Sequence, residues 1–228
     1  MKYVIANFKS NKNSEEIADW VKQFAPQLQK TNYDRSTTIV LCPAFPHLSL
    51  FDEVQKITTV FIGVQDISPY PAGSYTGAVS SLNLEGLGVK YAIIGHSERR
   101  RYFHETNTDV ANKVRECIEH NIVPIICVTK DEINAQANAI DESDRKKLLV
   151  TFEPIEHIGS DETDTIEHIL DVKEHVKTAF GNVPFLYGGS VNSTSDRKLL
   201  TSPEIDGFLV GSASLKVETF TDLLGSIA

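Results

Sequence analysis

Three apolar runs in this 228-residue chain end in side chains that can move or stabilise charge. Tyr91-Ala92-Ile93-Ile94 leads into Gly95-His96, and Ser97-Glu98-Arg99-Arg100 then reads as the opening of a helix. A histidine placed there lies beside the positive end of the helix dipole. That end favours a neutral ring, which can donate a hydrogen bond to a substrate oxygen. Leu148–Phe152 closes on Glu153-Pro154. A carboxylate at the end of an apolar strand is a candidate general base, and partial burial would raise its pKa into a useful range. The N-terminal run ends Ala6-Asn7-Phe8-Lys9, where strand alternation puts Asn7 and Lys9 on one side. Lys9 there offers a fixed positive charge to an oxyanion or a phosphate. Taken singly, each has a plainer reading: a solvated strand-end lysine, a structural histidine after glycine, a glutamate capping the next element.

Two later turns add a binding function. Tyr187-Gly188-Gly189-Ser190-Val191 and Leu209-Val210-Gly211-Ser212-Ala213 are small-residue turns that let backbone N–H groups come close to an anion. Ile155-Glu156-His157-Ile158-Gly159-Ser160 lies between Pro154 and a capped helix, and reads as a lid hinged at Pro154-Ile155-Glu156 and beyond Gly159.

These groups need a scaffold that brings strand ends together. Strand candidates fall at Tyr3–Phe8, Thr37–Cys42, Thr59–Val64, Tyr91–Ile94, Val123–Val128, Leu148–Phe152, Pro184–Tyr187 and Gly207–Val210. Several are wholly apolar, as parallel strands covered on both faces require. Helical spacing of apolar residues marks Ser14–Lys30, Thr106–Glu119 and Asp161–Phe180, with shorter helices at Ser193–Leu200 and Thr219–Ile227 and a weak one at Asp131–Asp141. Ser14 and Ser160, each ahead of two acidic residues, read as N-caps. Eight strand–helix alternations predict an α/β fold: one (β/α)8 barrel domain over residues 1–228, with a parallel eight-stranded barrel inside a ring of helices. The glycine turns then fall after strands 7 and 8, where such barrels bind phosphate. The runner-up, a doubly wound open sheet, lacks its glycine-rich fingerprint near the N-terminus.

Composition narrows the partners. A formal net charge of −9, with no basic run longer than Arg99-Arg100-Arg101, argues against nucleic acid and anionic membranes. It leaves room for a small phosphorylated substrate. Cys42, Cys117 and Cys127 match no zinc spacing and read as reduced core thiols of a cytoplasmic protein. Met1–Ala6 reads as leading straight into a strand, so no signal peptide is expected, and no apolar run is long enough to span a bilayer. His47, His104, His120, His157, His168 and His175 make no metal pattern and read as surface residues.

Asn7-Phe8-Lys9, Gly73-Ser74-Tyr75-Thr76-Gly77, Gly95 to Arg100, Glu153-Pro154-Ile155, Ile158-Gly159, Tyr187 to Val191 and Asp206 to Gly211 occur in one order along the chain. In that order they resemble the triosephosphate isomerase family. The resemblance implies interconversion of dihydroxyacetone phosphate and glyceraldehyde 3-phosphate without cofactor or metal, in a cytoplasmic homodimer joined through the Gly73–Gly77 loop. It implies Glu153 as the base, neutral His96 as the group that polarises the carbonyl and shuttles protons, and Lys9 with Asn7 stabilising the developing charge. Glu98 would hold Lys9, and N–H groups of Gly159, Ser190, Gly211 and Ser212 would bind the phosphate. Triosephosphate isomerase is itself the standard example of a glutamate base with a neutral histidine under a closing loop.

Four departures from the family pattern stand out. Glu156 replaces the usual lid-hinge tryptophan. Gly211-Ser212 replaces Gly-Gly, and serine resists positive φ. Ala78 replaces the glutamate expected to pair across the dimer with the arginine at position 99. Thr129-Lys130 replaces Gly-Glu in a shortened stretch. Three alternatives remain at this point: an isomerase of another small sugar phosphate, a catalytically silent phosphate-binding barrel, and a Schiff-base aldolase, for which only Lys9 is placed.

Overall fold

Parallel strands that are apolar on both faces need a cover outside and a filling inside, and closing the sheet on itself supplies both. In a computed structural model of the protein, described here for residues 2–155 and 163–227, eight parallel strands pair in sequence order and the last pairs with the first. They are β1 (Tyr3–Asn7), β2 (Thr38–Cys42), β3 (Val60–Val64), β4 (Val89–Ile94), β5 (Val123–Val128), β6 (Leu149–Phe152), β7 (Phe185–Tyr187) and β8 (Gly207–Val210). Each of the eight expected strands is present within two residues of its expected bounds.

The helices are α1 (Ser14–Lys30), α2 (Ser97–Phe103), α3 (Asn107–Glu119), α4 (Ile133–Ala139), α5 (Glu142–Arg145), α6 (Ile166–Phe180), α7 (Arg197–Leu200) and α8 (Val217–Ser226). Two caps differ from expectation. Asn13, not Ser14, caps α1, because its side chain accepts from the Glu16 N–H while the Glu16 carboxylate reaches back to the Asn13 N–H. Thr165 caps α6, accepting from the His168 N–H, so Ser160 is not its cap. Ser160 lies outside the described residues, as do Glu156, His157, Ile158 and Gly159.

Strand alternation divides the core. Ile5, Val40, Cys42, Ile93, Ile125, Cys127, Leu149, Leu186 and Leu209 fill the barrel interior. The alternate positions, such as Val4, Ala6, Ile39, Leu41, Val150 and Phe152, pack outward against the helices. Gly63 is needed for this filling, since a Cβ there would lie 2.6 Å from the Cys42 sulfur. All three cysteines are free and buried. His47 is also buried rather than superficial, and its Nδ1 has no hydrogen-bond partner among the described residues. No helix among the described residues is long and apolar enough to cross a membrane.

Candidate active site

The same alternation that buries Leu149 and Thr151 carries Glu153 to the inner side at the end of β6. Its backbone stays in the barrel ladder, the N–H donating to the Val128 carbonyl at 2.9 Å. The residue is 1% exposed. One oxygen, Oε2, accepts from the Ser97 N–H at 2.8 Å, and the other, Oε1, lies 2.9 Å from His96 Nε2. Gly188, at the end of β7, leaves room for this side chain: a Cβ there would lie 3.2 Å from the Glu153 Cγ and 2.7 Å from Thr151.

His96 caps α2 with its own ring. Its Nδ1 accepts the Glu98 N–H at 3.2 Å. A backbone N–H can only donate, so this contact makes Nδ1 the accepting ring nitrogen and leaves Nε2, the atom facing Glu153, as the one that can donate. The N-terminus of α2 therefore meets the ring through one specific N–H.

Lys9 follows β1 with φ at 50°, a backbone conformation uncommon outside glycine. Two side-chain amides hold it. The Asn7 Oδ1 accepts the Lys9 N–H at 3.0 Å, and Gln65 Nε2 donates to the Lys9 carbonyl at 3.0 Å and to the Cys42 carbonyl at 2.9 Å. The ammonium meets Glu98 Oε1 at 2.6 Å. Gln65 was missed in the sequence, although it directly follows β3 and the rule that strand ends carry function applies to it as much as to Lys9.

Lys9, His96 and Glu153 line one cavity of about 150 Å³ with Asn7, Ser190, Gly211 and Ser212. Ser212 starts a single 3₁₀ turn, Ser212–Ser214, whose first N–H groups have no partner within the turn. Its φ is not positive, so serine is unstrained at this departure from the family pattern. The Ser214 hydroxyl ties the turn to the Gly211 carbonyl at 2.7 Å. Gly159 lies outside the described residues. Beyond that segment, Asp164 donates its N–H to the buried Tyr187 hydroxyl at 2.9 Å, and burial pushes the Tyr187 pKa up to about 12. A Cβ at Gly189 would run into that hydroxyl.

Cys127, at the end of β5, puts its thiol against the Glu153 carboxylate; burial first, and that negative charge second, raise its pKa well above the ordinary thiol value. It is a buried packing group, not a nucleophile. The cavity thus combines a carboxylate, an imidazole, an ammonium and two glycine-containing turns, groups of the kind that could remove a proton beside a carbonyl in a phosphorylated molecule. No group of three histidines, cysteines or acids able to hold a metal occurs among the described residues.

A family model of triosephosphate isomerase matches residues 2–227. The chain is 36% identical to the triosephosphate isomerase of Mesomycoplasma hyorhinis over 97% of this chain and 96% of that one. It is 34% identical to that of Mycoplasma mobile over 98% of each chain. With that of Thermus thermophilus it shares 36% identity over 97% of this chain and 96% of the other.

Proposed function

The chain belongs to the triosephosphate isomerase family, and we propose that Glu153, His96 and Lys9 carry its reaction, the interconversion of dihydroxyacetone phosphate and D-glyceraldehyde 3-phosphate. The observation that carries this reading is the convergence of those three side chains, with the β7 and β8 turns, on a single cavity. Glu153 removes the proton from the carbon beside the carbonyl and returns it to the neighbouring carbon. His96 donates from Nε2 to the carbonyl oxygen and passes protons between the two oxygens of the enediolate. Lys9, braced by Glu98, stabilises the negative charge, and Asn7 both adds a donor and fixes the Lys9 backbone. Ser190, Gly211 and Ser212 receive the phosphate, with Gly159 as the fourth contact.

Glu153 is held on the Ser97 N–H and His96 Nε2. Nε2 is the donor a substrate carbonyl requires, so binding must displace the carboxylate from it. The carboxylate displaced from Nε2 is then free to act as the base.

Glu153→Gln keeps the shape and removes the base. The expected result is a loss of turnover by several powers of ten, with the inhibition constant of inorganic phosphate changed less than about threefold. Equal losses of both would make Glu153 structural. Comparing three-carbon with four-carbon ketose phosphates separates this reading from an isomerase of another sugar phosphate.

The wider reading is a single domain that works in the cytoplasm as a homodimer through the Gly73–Gly77 loop. Pairing of β1 with β8 supports one domain, because it joins the two ends of the chain in one sheet. Tyr75 of the loop stacks on Tyr70 just before it, each nearly half exposed, and Tyr102 and Phe103 are more exposed still. A second copy covering these rings would remove that apolar surface from water. Sedimentation at micromolar concentration should give a dimer; a monomer alone would overturn this part.

A further inference from the structure

Helix α2 holds the active site in register. His96 is its cap, and its Ser97 N–H carries the Glu153 carboxylate. Yet α2 is seven residues long and none of them is buried. A helix this short is not stable by itself, and this one buries no apolar side chain against the barrel. Something polar must fix it to the barrel.

The Arg100 side chain, 11% exposed, does so on one side. Its Nε donates to the Gly95 carbonyl at 2.8 Å, the peptide group immediately before His96. Its Nη2 reaches toward the Cys127 carbonyl at 3.4 Å, on the residue whose thiol abuts Glu153. The guanidinium is aimed by two amides. Asn107 Oδ1 accepts from Nη1 at 2.8 Å and Gln136 Oε1 from Nη2 at 2.8 Å, while Gln136 Nε2 donates to the Asn107 carbonyl at 3.2 Å. Gln136 is fully buried, on a helix that packs outside the barrel. Glu132 Oε1 stands 3.6 Å from Nε. Gly95 completes the fit: its φ is +67°, and a Cβ on it would lie 2.9 Å from Arg100 Nη2.

We infer that Arg100, oriented by Asn107 and Gln136, is a positioning residue for the isomerisation: it locks the ends of β4 and β5 to α2 and so sets the geometry between His96 and Glu153. It touches neither substrate nor the reacting atoms. The inference rests on the roles given to Glu153 and His96 above. Its energetic basis is that a misplacement of about 1 Å between reacting groups can cost about 100-fold in rate.

The test compares Arg100→Met, Arg100→Lys and Gln136→Met with Glu153→Gln, measuring kcat, KM for glyceraldehyde 3-phosphate, the inhibition constant of inorganic phosphate, and the folded fraction by circular dichroism. A positioning role predicts that kcat per folded molecule falls about 100-fold in Arg100→Met and about 5- to 10-fold in Gln136→Met. KM and the phosphate constant should stay within about threefold, because the β7 and β8 turns are untouched. Arg100→Lys should recover part of kcat, since one ammonium can still reach the Gly95 carbonyl. Unchanged kcat per folded molecule with a lowered Tm would make Arg100 purely structural and overturn the inference. If Arg100→Met does not fold, unchanged kcat in both Arg100→Lys and Gln136→Met overturns it equally. A Glu153→Gln protein that still turns over would overturn the underlying reading of the base instead, so the two failures are distinguishable.

Discussion

Arg99 and Arg100 are neighbours on the same short helix, and they hold it by opposite chemistry. The Arg100 guanidinium lies among uncharged acceptors: two backbone carbonyls and two side-chain amides. The Arg99 guanidinium lies among carboxylates. It meets Asp66 Oδ2 at 2.7 Å and the Glu105 carboxylate, and the buried Lys113 ammonium completes a four-residue cluster by pairing with the same two acids. One Glu105 oxygen, Oε2, is buried with no hydrogen-bond partner among the described residues. The Arg100 cradle is neutral apart from the arginine and from Glu132 at its edge. The Arg99 cluster balances two positive against two negative charges, and its balance depends on protonation. Uncharged acceptors fix geometry at every pH, whereas a cluster that includes the partly buried Asp66 carboxylate depends on the ionisation of that acid. The pH-indifferent anchor is the one beside His96 and Glu153. The titratable one faces a cavity of about 530 Å³ that the Gly77-Ala78 turn and exposed Phe103 also line.

Removing a cation from the charged cluster should give the largest effect. Lys113→Met leaves Asp66 and Glu105 to share Arg99, and breaking a buried pair by deleting one partner costs about 3–5 kcal/mol. The expected loss at pH 7 is of that size and shrinks toward pH 5, where a carboxylate can take up a proton in place of the ammonium. Urea unfolding at the two pH values, at one protomer concentration, reads this directly. A loss that is the same at both would mean the carboxylates do not adapt.

Gly95→Ala strikes the neutral cradle. The new methyl group would be forced into a left-handed backbone, 2.7 Å from the Val110 Cγ2 and 2.9 Å from Arg100 Nη2. Strain and overpacking together should cost about 2–4 kcal/mol. In contrast to Lys113→Met, the loss should be equal at pH 5 and pH 7, and kcat should fall with it. A marked pH dependence in this variant would erase the distinction between the two anchors.

The contrast also shows what a single sequence can carry. The strands were legible because burial on both faces writes itself as apolar runs such as Val123–Val128. Lys9, His96 and Glu153 were legible because each ends such a run, and alternation gives its direction. The anchors were not. Asp66 meets Lys113 and Arg100 meets Gln136 across 47 and 36 residues, and no local pattern states which helix will lie beside which loop. Arg99 and Arg100 look alike in the sequence, and only the neighbours brought by β3, α3 and α4 make them different. The caps failed for a local reason: Ser14 and Asn13 compete for one position, and the reciprocal bond with Glu16 decides for Asn13.

The finest test of the comparison is Asp66→Asn, which removes one titrating group and keeps an oxygen that accepts from Lys113 or Arg99. Burial pushes the Asp66 carboxyl up from 3.8 to about 6; the neighbouring Glu105 charge adds to the rise, and Lys113 and Arg99 oppose it without overcoming it. An acid with a raised pKa in the folded protein binds more protons folded than unfolded between those two values. Its contribution to stability is therefore greatest below about pH 4, declines as pH rises to about 6, and is level above that. The stability of the native protein minus that of Asp66→Asn should accordingly fall by about 1–3 kcal/mol between pH 4 and pH 7. Other acids titrate in this window in both proteins and cancel in the difference. A difference that instead grows with pH would show that Lys113 and Arg99 hold Asp66 ionised despite its burial. The Arg99 anchor would then be as indifferent to pH across this range as the Arg100 anchor beside it.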